Sequence, residues 1–174
     1  MFFLFAFAGE FVPLKVFTRG AEGEVTTSTT FALALMLVAG PLAGLLTLGL
    51  ANIYADLVGR KALQKVAFNL FQYAITIAAT AAVLNVTTGL PRAEEPHLAP
   101  IDLPGVLLAA GTFFLVNIAL VSTVVALASR AKVFSYMVRD LFFQASINGL
   151  MLGLAPIIVL AADFALAALA LLFL

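Results

Sequence analysis

The chain has 174 residues, 64% of them hydrophobic and 10% charged, with a mean hydropathy of +1.16. A soluble domain carries about a quarter charged residues, so this composition excludes that class and points to an integral membrane protein. Nine basic and nine acidic residues cancel, no basic patch speaks for nucleic acid, and the lack of cysteine excludes disulfides and thiolate metal sites.

A membrane-crossing helix needs about 20 apolar residues. The first apolar run, Phe2 to Leu14, is short and carries Glu10 and Pro13. It has no basic stretch ahead of it and no clear cleavage site, so it reads as the tail of a first span rather than a signal peptide. The following TRGAEGEVTTSTT sets Gly20 and Gly23 beside β-branched residues, which predicts an extended turn over the membrane surface. Phe31 to Ala39 is too short to cross, and Gly40-Pro41 breaks it from the next helix. It is either a short tilted span or a half-helix dipping in from outside. The dip is preferred, because broken helices are tolerated at membrane depth where protein surrounds them.

Four runs are long enough to cross, or nearly so: Pro41 to Leu57, Val66 to Thr87, Leu103 to Ala128 and Leu141 to Ala161. Asp163 to Leu174 stops while still apolar, so residues 1–174 read as one polytopic domain cut, or begun late, at both ends. The expected fold is an all-α integral membrane bundle of about six transmembrane helices, with a broken or re-entrant segment near residues 28–40.

The loops set the orientation. RKALQK supplies Arg60, Lys61 and Lys65, and SRAKVFSYMVRD supplies Arg130, Lys132 and Arg139. PRAEEPHLAPID carries Glu94, Glu95 and Asp102 against Arg92 alone. The positive-inside rule puts the two basic loops in the cytoplasm and the Pro-rich loop outside. The last segment then re-enters from outside, leaving the C-terminus in the cytoplasm. Tyr54, Tyr73 and Tyr136 serve as interfacial anchors in a chain without tryptophan.

Polar residues inside the spans are the candidate site. Asn69, Gln72, Thr76 and Thr80 recur at steps of three and four, which stacks them on one helix face. Counting equally from the RKALQK turn puts Asp56 level with Asn69, and Asn52 level with Gln72 or Tyr73. Asp140, Gln144 and Asn148 are spaced by four on the penultimate helix, and Asn117 lies in mid-span before them. Such groups face the bundle interior, either as interhelical glue or along a ligand or ion pathway. Asp56 has a further option, a pair with Arg60 one turn along. Glu10 is expected near the outer end, meeting water or Lys15, or else facing the dipping segment and helping to bind a ligand. Gly40 with Gly44 and Gly149 with Gly153 permit close helix contact.

Catalysis finds no support. There is no HExxH, GxSxG, P-loop or GxGxxG pattern, and the single histidine, His97, sits in the Pro-rich loop. No enzyme activity and no metal are expected, and the residues point to no particular cofactor.

The order of these motifs resembles a known family. Val25-Thr26 with Ser28, the FALAL run, Gly40-Pro41, Asp56, Phe68-Asn69 with Gln72-Tyr73, then Asn117, Asp140 and Pro156, resemble the multi-pass membrane region at the N-terminus of many bacterial signalling proteins. There it precedes diguanylate cyclase (GGDEF) or HD-GYP phosphodiesterase domains. The likeness covers about Glu10 to Leu174 and implies a sensory or anchoring module whose last helix feeds a cytoplasmic output domain outside this chain. A fainter likeness is to the substrate-binding membrane subunits of energy-coupling-factor vitamin transporters, carried by AGPLAGLLTLGLANIYAD. An accessory subunit of a larger membrane complex is the remaining alternative. The partners expected are the lipid bilayer, a second copy or a larger membrane complex, and the output domain.

Overall fold

The computed structural model describes residues 2–11, 14–18, 21–25, 27–91 and 98–164. Helix α1 (Phe2–Phe11) is followed by an antiparallel pair, β1 (Leu14–Thr18) and β2 (Ala21–Val25), with Leu14 opposite Val25 and Thr18 opposite Ala21. Five helices complete the chain: α2 (Ser28–Ala39), α3 (Pro41–Val58), α4 (Leu63–Thr87), α5 (Leu103–Ala128) and α6 (Val133–Phe164). A short 3-10 turn, Pro100–Asp102, leads into α5. The helical class stands. The β-pair is an addition to it, and falls where an extended turn is expected.

Each helix packs on the next, and α2 also packs on α6, which closes α2, α3, α4, α5 and α6 into a ring. Helix α1 lies against α2 and α3. The centre of the core is α2, whose Phe31, Ala32, Leu33, Ala34, Met36 and Leu37 are all 3% exposed or less. Five consecutive buried residues, Thr30 to Ala34, cannot come from one helix face. A helix apolar all round is one that is walled on all sides, and α2 is that helix.

Gly40 turns α2 back on α3. Its φ of +91° lies where only glycine is comfortable, and Pro41 then starts α3 with its φ already set. A Cβ placed on Gly44 would collide with Met36 and the carbonyl oxygen of Ala32, so the two helices run antiparallel in close contact. With 12 residues against the 18 of α3, α2 ends about 9 Å short of its neighbour at 1.5 Å per residue. Gly40-Pro41 does break the helix, but the break is a reversal. Three helices, Pro41–Val58, Leu63–Thr87 and the stretch Pro100–Ala128, are long and apolar enough to cross a membrane. Ser28–Ala39 and Leu152–Ala162 are shorter apolar helices, so six crossings and a re-entrant path are not shown.

The same contacts set the ends of the bundle. Gly40 approaches Pro91, just past the end of α4, and Gly105 of α5 lies against Thr87 and Thr88. The α2–α3 turn therefore shares one end with the Pro-rich connection, and the basic turns share the other. The ring of Phe5 stacks on Phe31 at 5.5 Å, and Gly9 abuts Thr27 and Ser28, so α1 runs antiparallel to α2. Glu10 is thereby carried to the start of α2, away from the Pro-rich end. Helix α2 is a returning leg of the bundle, so the helix before it arrives from the end opposite the Pro-rich connection.

The stripe on α4 turns inward. Gln72, Thr76 and Thr80 are 4%, 0% and 0% exposed, whereas Phe71 and Ile75 on the other face are 67% and 52% exposed. Because the chain has no native cysteine, single-cysteine variants label cleanly. A lipid-phase thiol probe is expected to label Phe71→Cys and Ile75→Cys strongly and to spare Gln72→Cys, Thr76→Cys and Thr80→Cys. The reverse pattern would mean that α4 is rotated.

Candidate functional site at the α3–α4 contact

Helix α3 ends in a Schellman turn. The Lys61 N–H donates to the Asp56 carbonyl at 2.9 Å and the Arg60 N–H to the Leu57 carbonyl at 3.0 Å, with Arg60 at φ 51° in the left-handed place glycine usually takes. This geometry sends the chain back into α4 after four residues and carries Lys61 over the last turn of α3.

Asp56 lies beneath it, 2% exposed. One carboxylate oxygen accepts a hydrogen bond from Lys61 Nζ at 2.5 Å, and the other accepts from Asn69 Nδ2 on α4 at 2.7 Å. The lysine side chain is half exposed and the aspartate side chain is not. A buried carboxylate is stable only when paired and hydrogen-bonded, and both conditions are met here. The expected level pairing of Asp56 with Asn69 is borne out. The alternative pairing of Asp56 with Arg60 is not: Arg60 takes the left-handed position of the turn, and Lys61, the next residue, holds the carboxylate.

One turn deeper the pattern changes. Asn52 is 6% exposed and donates to the Leu48 carbonyl of its own helix at 3.1 Å. Thr76 Oγ donates to the Gln72 carbonyl and Thr80 Oγ to the Thr76 carbonyl, each at 2.8 Å. These hydroxyls therefore satisfy themselves along α4 rather than reaching across. Gln72 Nε2 is the one buried side-chain donor without a partner among the described residues. The Asp56–Asn69 bond brings Asn52 and Gln72 to neighbouring levels, yet no hydrogen bond joins them.

The remaining candidates do not gather here. Asn117 is half-buried on α5 and makes no hydrogen bond among the described residues. Glu10, Gln144 and Asn148 lie on described helices, but their side chains lie outside the described residues, as does His97. No group of three or more His, Asp or Glu side chains that could hold a metal occurs among the described residues.

Two features escaped the sequence reading. Lys61 was visible as a loop charge, but only the turn geometry selects it over Arg60. Asp102, counted among the Pro-rich loop charges, is 4% exposed, and its carboxylate accepts the Ala99 N–H at 2.9 Å ahead of α5. Its place directly before LPG and an apolar run was the available signal for a helix start. Comparison with protein-family profiles, with curated proteins and with solved structures returns no match.

If Lys61 holds Asp56 in place, Lys61→Gln destabilises the protein by about 1–3 kcal/mol, the cost of leaving a buried acceptor short of one hydrogen bond. Arg60→Gln should change stability far less. Thermal unfolding of both variants in one detergent makes the comparison, and equal losses would remove the ion pair from the account.

Proposed function

We propose that this membrane protein is a sensory or anchoring input module of a bacterial signalling protein, seated in the inner membrane with its basic turns toward the cytoplasm. In this reading its last helix leads to a cytoplasmic output domain encoded beyond the present chain. The observation that carries it is the Lys61–Asp56–Asn69 chain of contacts. A half-exposed cation at the membrane surface is tied through a buried carboxylate to α4, so an event at the surface alters packing inside. The motif order along the chain supports the same reading.

Top-down mass spectrometry of the protein from its own host's membranes tests this. A mass well above 18.3 kDa, with the extra sequence C-terminal, is expected. A mass at that value would remove the output domain and the reading with it.

A second reading, a small-molecule-binding membrane subunit, is favoured by the unpaired Gln72 amide. An unsatisfied buried donor costs about 1–3 kcal/mol, a cost that a ligand's acceptor would recover. If so, a small molecule co-purifies with the wild-type protein and is lost from Gln72→Leu, while the variant still folds. Native mass spectrometry showing the same bare mass for both would reject this reading.

A further inference from the structure

We infer that the basic end of the bundle is a docking surface for anionic lipid headgroups, formed by Arg60 and Lys65 at the α3–α4 turn and by Arg130 and Lys132 at the α5–α6 turn. The inference requires that the chain lie in a membrane and is independent of the signalling role.

The two turns have the same build. At the end of α5 the Ala131 N–H donates to the Ala126 carbonyl at 2.8 Å and the Arg130 N–H to the Leu127 carbonyl at 3.3 Å, with Arg130 at φ 54°. This repeats the α3 turn bond for bond, seventy residues on (Arg60 to Arg130). In both, arginine occupies the left-handed position where glycine is usual. Each turn therefore presents a guanidinium at the extreme end of an antiparallel helix pair.

Arg60, Lys65, Arg130 and Lys132 are all exposed, and none is paired with a carboxylate among the described residues. Asp56, beside the first turn, is buried and already holds Lys61. Neither helix entered from these turns, α4 or α6, has an acidic residue in its first turn.

Their surroundings name the partner. Leu57, Val58 and Leu63 flank the first turn at 52%, 62% and 75% exposed, and Leu127 and Phe134 flank the second at 67% and 73%. A surface meeting an acidic protein in water would leave those apolar groups wet. A bilayer takes both kinds at once, with acyl chains against the leucines and phenylalanine and phosphates against the cations. Anionic headgroups are thus favoured over a soluble acidic partner.

The test uses the full chain in vesicles of phosphatidylcholine, with and without phosphatidylglycerol. Two quantities are read: the thermal unfolding midpoint, and the lipids retained by native mass spectrometry. Phosphatidylglycerol is expected to raise the wild-type midpoint and to be retained in preference to phosphatidylcholine. The variant Arg60→Gln/Lys65→Gln/Arg130→Gln/Lys132→Gln should match wild type in phosphatidylcholine and lose the preference, by roughly fivefold for each cation removed. Lys61→Gln should lower the midpoint equally in both lipids, because its partner is Asp56. Should the fourfold variant fail to fold, Arg60→Gln/Lys65→Gln and Arg130→Gln/Lys132→Gln report each turn separately. Equal retention of the two lipids by wild type, or an undiminished preference in the variants, would overturn the inference. So would recovery of the whole midpoint shift by inorganic phosphate alone, which would assign the surface to a soluble anion.

Discussion

A helix too short to cross a membrane has to be enclosed by protein, and the arrangement of this bundle follows from that constraint. Within hydrocarbon every exposed backbone N–H or carbonyl goes unsatisfied, so the free end of a 12-residue helix cannot face lipid. Here α2 starts at Ser28 with its first bonds drawn from the Thr27 carbonyl, and Ser28 and Thr30 are both buried. The helices α1, α3 and α6 wall it in, and α4 and α5 complete the ring. The glycine at position 40 and the close approach at Gly44 are what allow α2 to lie tightly enough against α3 for this to work.

The contact between α3 and α4 adds a different kind of constraint. Apolar packing in a membrane does not strongly fix how one helix is placed along another, because lipid tails are as apolar as leucine. A buried carboxylate bonded on both sides does fix it. Sliding α4 by a single residue would move Asn69 by about 1.5 Å along the axis and lengthen a bond now at 2.7 Å. The self-bonded threonines further along α4 impose no such demand. They supply small buried groups that admit close neighbours.

The parts of this design that depend on periodicity were legible in the sequence. Steps of three and four from Asn69 to Thr80 give the buried face of α4, and equal counting from the turn gives the Asp56–Asn69 pair. What depends on three-dimensional enclosure was not. Hydropathy and length describe Phe31 to Ala39 the same way whether it dips from outside or returns beside α3, and Gly40-Pro41 marks a break without saying in which direction the chain leaves it. The direction of α2 in turn decides which end of the bundle Glu10 shares, and hydropathy alone does not give it. The choice of Lys61 over Arg60 rests on a left-handed backbone at a non-glycine residue, a conformation that residue type alone does not announce.

The repeated turn has a mechanical consequence. Superimposing the two turns by number sets Asn52 against Ser122 and Asp56 against Ala126, and all four are buried. Where the first hairpin has a carboxylate clasped by an ammonium and an amide, the second has a methyl group, through which no electrostatic clasp can form. At matching positions, then, the register of the first hairpin is set by bonds, whereas the second presents only an apolar contact there.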